Sequence, residues 1–129
     1  MGEGSRGCSM VGKVVFCLFL VQQLKMGYAT IYNVGDELGW TFNVSSWPIG
    51  KNFHAGDILA FNYTPSTHNV VEVDKVGYNW CLINPIEATV HHSGKDQMKL
   101  VEGMNYYICS LPGHCQMGMK LAINATSSS

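Results

Sequence analysis

Apolar and polar positions follow two regimes along this chain. From Val14 to Val21, "VVFCLFLV" is wholly apolar, preceded by the charged "MGEGSRGCSMVGK" and followed by the polar "QQLK". From Thr30 onward the apolar residues come in short runs rich in valine, isoleucine and tyrosine, punctuated by glycine, proline and asparagine. The candidate strands are "TIYNV" (30–34), "DILAFNY" (57–63), "NVVEV" (69–73), "ATVHH" (88–92), "QMKLV" (97–101), "MNYYICS" (104–110) and "MKLAINA" (119–125). Short strands separated by turn residues at close intervals predict an all-β sandwich or barrel. Between Asp74 and Pro85 the pattern breaks, and a short helix or irregular segment is expected there. No internal repeat, linker or second domain is visible.

The N-terminal regime reads as an address. A charged segment, a short apolar run and the small residues Gly27 and Ala29 two apart describe a secretory signal peptide. The apolar run is too short to cross a bilayer as a helix. The expected organisation is therefore a signal peptide over 1–29, cut after Ala29, and one domain over 30–129. Export makes Asn43-Val44-Ser45, Asn62-Tyr63-Thr64 and Asn124-Ala125-Thr126 glycosylation candidates. Asn62 falls within an expected strand and is the least secure of them. The polar ending "NATSSS" lacks the apolar tail of a lipid-anchor signal, so the product is expected to be soluble, extracellular and without a membrane span.

Composition narrows the function classes. The chain has 129 residues, 47% hydrophobic and 13% charged, with a formal net charge of -1. That is single-domain size with enough apolar content for one packed core. Removing residues 1–29 takes away three of the eight basic residues and one of the nine acidic ones, leaving a net charge of −3. This balance gives no footprint for nucleic acid. Cys8 and Cys17 leave with the signal, so Cys81, Cys109 and Cys115 remain. Three cysteines in an oxidising compartment suggest one disulfide and one thiol with another task.

The chemistry concentrates in "CSLPGHCQMGM" (109–119). Tyr106 to Cys109 reads as a strand and Lys120 to Asn124 as the next, so Pro112 and Gly113 lie in the loop between them. Cys109 then stands at a strand end, with His114 in the loop and Met119 on its far shoulder. Such a loop can curl thiol, imidazole and thioether around one point. Two histidines, one cysteine and a long axial methionine make the blue-copper arrangement. The spacing Cys109-x4-His114-x4-Met119 supplies one of each ligand type, and the turn "PSTHNVV" offers His68 as the second histidine.

With these motifs the chain resembles the phytocyanins, plant members of the cupredoxin family, and within them the plantacyanins. The segments "GWTFN" (39–43), "SWP" (46–48), "FHAGDILAFNY" (53–63), "HNVV" (68–71), "SGKDQMKL" (93–100) and "YYICSLPGHCQMGMKLAINA" (106–125) carry the likeness over essentially all of 30–129. The resemblance implies a cupredoxin-like Greek-key β-sandwich or barrel with one or two short helical segments. It implies one copper ion on His68, Cys109, His114 and Met119, and a disulfide between Cys81 and Cys115. Methionine at 119 resembles the plantacyanins, where the stellacyanin branch has glutamine. One departure is plain: plantacyanins are often basic, and residues 30–129 are not.

The implied function is a secreted single-electron carrier cycling between Cu(I) and Cu(II), with no enzymatic turnover. Its redox partner is not identified by any residue pattern. It is expected to be a monomer in the extracellular space, the apoplast or cell wall in a plant. Asn69, beside His68, is expected to tie the His68 loop to the Cys109 loop, and the ring edge of His114 is the expected door for electrons.

Competing readings are weaker on chemical grounds. Met117 competes with Met119, but the four-residue gaps favour the latter. His54, His91 and His92 are expected to face solvent, since neighbours on a strand point to opposite faces. Trp40, Trp47, Tyr106 and Tyr107 read as core or sandwich-edge aromatics. Structural zinc usually takes four Cys or His ligands, and Cys81 needs a partner of its own. A cysteine–histidine hydrolase lacks a visible orienting group, and a copper oxidase would need further copper sites. The remaining alternative is an extracellular binding or signalling module that keeps the scaffold, with copper structural or incidental.

Overall fold

In a computed structural model of the chain, residues 29–128 are described. Residues 1–28, with Cys8, Cys17 and nearly all of the expected signal peptide, lie outside the described residues.

The strands are β1 (Ile31–Asn33), β2 (Phe53–His54), β3 (Ile58–Asn62), β4 (Val70–Val73), β5 (Val90–His91), β6 (Lys95–Lys99), β7 (Gly103–Ile108) and β8 (Lys120–Thr126). One helix, α1 (Lys75–Trp80), and three 3-10 turns at Asp36–Leu38, Val44–Ser46 and Cys115–Met117 complete the elements. The strands form two mixed sheets, ordered β1-β3-β6 and β2-β8-β7-β4-β5. β1 runs parallel to β3 and β2 parallel to β8, while the other pairs are antiparallel. All seven expected strands form. β1, β3, β4 and β5 are trimmed by a residue or two at their ends, and β6 begins two residues earlier than expected, at Lys95. β7 and β8 each gain one residue at one end and lose one or two at the other. The two-residue β2 was not expected, because Phe53–His54 is too short to show an alternating pattern.

Alternation along the strands sets the layers. In β8 Leu121, Ile123 and Ala125 are buried while Asn124 and Thr126 are exposed, the period of two that a pleated strand imposes. These residues meet Phe53, Leu59, Phe61, Val70, Met98 and Tyr107 in a core between the two sheets. In β4 the neighbours Val70 and Val71 are both fully buried, as are Tyr107 and Ile108 in β7. Adjacent residues point to opposite faces, so the centre of the larger sheet must be covered on both sides. The cover is α1 with its flanks: Tyr78, Cys81 and Ala88 pack on Val71, Val73, Ile108 and Cys115.

α1 fills the place where the strand pattern broke. Asp74 caps it, its carboxylate accepting the Gly77 backbone N–H at 2.9 Å. Gly77 is required there: a Cβ would meet the Val73 Cβ and the Leu82 carbonyl oxygen, each at 2.7 Å. Only a residue without a side chain lets the helix lie this close to β4. The helix ends at Cys81, which is bonded to Cys115 across a sequence separation of 34. The disulfide thus fastens the helical cover to the loop that holds His114.

Candidate metal centre

Two loops at one end of the sandwich bring the donor side chains together. His68 ends the connection between β3 and β4, Cys109 follows β7 directly, and His114 lies between β7 and β8. One ligand atom from each of His68, Cys109 and His114 lies within 4.8 Å of the others. The two histidine Nδ1 atoms are 3.1 Å apart, and the Cys109 Sγ is 3.5 Å from the Nδ1 of His114.

The loop from Cys109 to Met119 is closed by its own backbone. The Cys109 N–H donates to the Met119 carbonyl at 3.1 Å, and the Met119 N–H to the His114 carbonyl at 3.1 Å. The 3-10 turn Cys115–Met117 ends at Gly118, whose φ of 84° lies in the left-handed region. There a Cβ would come within 3.0 Å of the Asn43 Cα, so glycine lets the turn pack against the segment that carries Phe42. Met119 is fully buried in the cluster that contains Cys109, while Met117 is 59% exposed. That separates the two methionines as the spacing predicted.

A second set of contacts fixes the rings. Phe42 packs its edge against both imidazoles, 5.6 Å from His68 and 4.9 Å from His114 between centroids. The Asn69 side chain bonds Ser110 through its amide at 2.9 Å and its carbonyl oxygen at 2.8 Å, joining the His68 and Cys109 loops as expected. The carbonyl of Asn69 accepts the buried indole N–H of Trp40 at 2.8 Å. Tyr63 stands 6.3 Å from His68 and donates its hydroxyl to Asp96, which also accepts from the Ser93 hydroxyl.

Electrostatics at the site favour neutral imidazole. Burial first, and then the neighbouring His114, lower the pKa of His68. A neutral imidazole with its Nδ1 lone pair free is the form that binds a metal. Burial and the hydrogen bond to Asp96 push the Tyr63 hydroxyl well above the ordinary tyrosine range, so it stays protonated. Cys109 is the free cysteine among the described residues, and it is buried. Two imidazoles, one thiol and a thioether form a set whose softness suits copper better than magnesium or calcium. The third cysteine is unavailable to the site, because Cys115 is bonded to Cys81.

The plastocyanin-like domain profile matches residues 37–119. The chain belongs to that family. It is 48% identical to chemocyanin of Lilium longiflorum, over 96% of this chain and 97% of the relative. It is 57% identical to the basic blue protein of Cucumis sativus, over 74% of this chain and 98% of the relative. Among solved structures, cucumber basic protein, a blue copper protein, superposes with a TM-score of 0.72, covering 74% of this chain and 99% of that one. Cucumber stellacyanin is 33% identical with a TM-score of 0.70, covering 78% and 98%. Chemocyanin and the basic blue protein are plantacyanin-type phytocyanins, and the grouping of His68, Cys109, His114 and Met119 is consistent with the type 1 copper site of blue copper proteins. Copper is the cofactor of this family.

The remaining predicted residues fall as follows. His54 and His92 are exposed and His91 is half-buried on β5. Trp40 and Tyr107 are core residues, while Trp47 and Tyr106 lie at its edges. Asn43, Asn62 and Asn124 are all exposed, with Asn62 on β3 and its amide donating to Asn33 at 3.4 Å. Sequence reasoning missed Phe42 and Ser110, whose roles depend on contacts between loops distant in the chain. It also missed the polar function of Trp40. The only available signal was their position beside residues already singled out.

Proposed function

We propose that this chain is a secreted single-electron carrier in which His68, Cys109, His114 and Met119 hold one copper ion. The observation that carries the reading is the convergence of His68, Cys109 and His114 within 4.8 Å, around a cysteine left free by the Cys81–Cys115 bond. When bound, copper supplies one-electron exchange between Cu(I) and Cu(II). The chain supplies constancy of shape. The Asn69–Ser110 pair, the Phe42 ring and the disulfide beside His114 hold the donors in one arrangement, so little must rearrange as charge changes. The half-buried ring of His114 is the edge through which a redox partner, protein or small molecule, draws or delivers the electron. Family membership supports this reading, since blue copper proteins are electron carriers and generally not enzymes.

The same proposal places residues 1–29 as an export signal and the chain outside the cell, in the apoplast or cell wall, as a monomer. Plant phytocyanins are typically extracellular. Among the described residues no helix is long and apolar enough to cross a membrane. Asn43, Asn62 and Asn124 are then open to glycosylation.

Protein-film voltammetry tests the carrier role. A reversible one-electron wave that survives repeated cycling, with copper retained, is the expected result. Copper that binds tightly but exchanges no electrons would make the scaffold a binding module instead.

A further inference from the structure

Asp57 is a buried carboxylate, 4% exposed, in the turn between β2 and β3. One of its oxygens accepts the His54 backbone N–H at 2.9 Å, and the His54 ring nitrogen lies 3.7 Å from the same atom. The other oxygen accepts the backbone nitrogen of Thr30 at 3.1 Å. Thr30 is anchored on its other side too, its carbonyl accepting the Ile58 N–H at 2.9 Å. Among the described residues no lysine or arginine forms an ion pair with Asp57. A carboxylate taken out of water needs a compensating charge, and leaving it without one is costly.

The sequence puts the export cut between Ala29 and Thr30. Hydrolysis of that bond by a signal-peptidase-class protease adds one water, giving a carboxylate on Ala29 and an amine on Thr30 that takes up a proton. The atom now donating a single amide N–H to Asp57 becomes an ammonium, with three donors and a positive charge. We propose that the α-ammonium of Thr30, created by this cleavage, is the counter-ion of Asp57, so that processing itself locks β1 onto the sandwich. The proposal rests on the export reading above. Charge-assisted bonds of this kind are roughly twice as strong as neutral ones.

The pair has a predictable pH dependence. A free α-amino group titrates near ~8, and a buried carboxylate beside it raises that value in the folded state. The stabilisation is therefore complete below the ordinary value and is lost as pH rises through the raised one. The other ionisable groups on the elements packed here are Tyr32 on β1, His54 on β2, Lys95, Asp96 and Lys99 on β6 and Lys120 on β8, with Lys51 before β2 and Glu102 between β6 and β7.

Two measurements decide the matter. Mass spectrometry of the protein exported from cells expressing the full chain is expected to find Thr30 as the first residue. Thermal unfolding is then compared between chains that begin at Thr30 and chains that retain Ala29, in wild-type and Asp57→Asn backgrounds. Asparagine keeps an acceptor for the Thr30 nitrogen but carries no charge. The chain beginning at Thr30 is expected to melt higher at pH 6–7, with the gap closing at alkaline pH and absent in Asp57→Asn. The α-amine of the processed wild type, titrated by NMR, is expected to lie above the ordinary value, a readout that needs no variant. Equal melting temperatures at neutral pH, a gap that persists in Asp57→Asn, or an unshifted α-amine would overturn the ion pair. An exported chain starting elsewhere would overturn the assignment of the cut, and a chain retained in the cell would overturn the export reading on which the proposal stands.

Discussion

Asn69 and Ser110 hold each other through two hydrogen bonds, amide to hydroxyl at 2.9 Å and backbone N–H to side-chain carbonyl at 2.8 Å. Each follows a donor residue directly, His68 in one case and Cys109 in the other. The pair therefore sets the distance between an imidazole and a thiol contributed by different loops. Asn69→Ala removes both bonds and leaves the Ser110 N–H without its partner. The expected loss is about 2 kcal/mol, read by denaturant unfolding of the apoprotein, with a shifted reduction potential once copper is loaded. A potential identical to wild type would show that the pair does not govern the site.

Behind that pair stands Trp40. Its indole N–H donates to the Asn69 carbonyl at 2.8 Å, and its ring packs edge-on against Phe61 at 5.0 Å. Trp40→Phe keeps an aromatic ring but removes the donor and leaves a cavity. The combined cost is expected to be about 3 kcal/mol, measured as a lower unfolding midpoint at constant slope. A loss well below 1 kcal/mol would mean the hydrogen bond contributes little beyond what water could replace.

The disulfide joins the helical cover to the His114 loop. With Cys81 and Cys115 separated by 34 positions, the loop-closure argument assigns it about 4 kcal/mol. The double variant Cys81→Ala/Cys115→Ala is expected to lose stability of that order in calorimetry. It should also show faster backbone exchange at His114 than at Leu121. Unchanged exchange at His114 would confine the bond's effect to the unfolded state.

Acid should loosen the other end of the same helical cover. The Asn84 amide, at 2.6 Å, and then the Gly77 N–H hold the Asp74 carboxyl below its ordinary value of 3.8. Because the folded-state value is depressed, the stabilisation is present above the ordinary carboxylate range. It disappears as pH falls through the depressed value. Asp74→Asn is therefore expected to lower the melting temperature at neutral pH and to match wild type at strongly acidic pH. A constant difference at every pH would contradict this.

How much of this was legible in the sequence depends on how local the signal was. The strands were readable because Val70–Val73 or Lys120–Thr126 carry their pattern within a few residues. β2 was not, because Phe53–His54 becomes a strand only through its parallel pairing with Ala125 and Thr126. Cys109, His114 and Met119 were legible as a trio because one short loop holds all three. His68 required the blue-copper template and a resemblance, since a lone turn histidine carries no such signal. Phe42 and Ser110 stayed invisible for the opposite reason. Their chemistry is ordinary, and only tertiary contact gives them a role. The same holds for Asp57, an unremarkable turn aspartate until the Thr30 nitrogen is seen against it.

The proposed function requires that Cys109 and the two histidines form a copper–thiolate centre. Electron paramagnetic resonance of the Cu(II)-loaded protein, taken alongside its visible spectrum, tests this most directly. A small copper hyperfine splitting with intense blue absorption is predicted, both lost in Cys109→Ser while the circular dichroism of the sandwich persists. A colourless wild-type protein with the wide splitting of ordinary cupric sites would contradict the account.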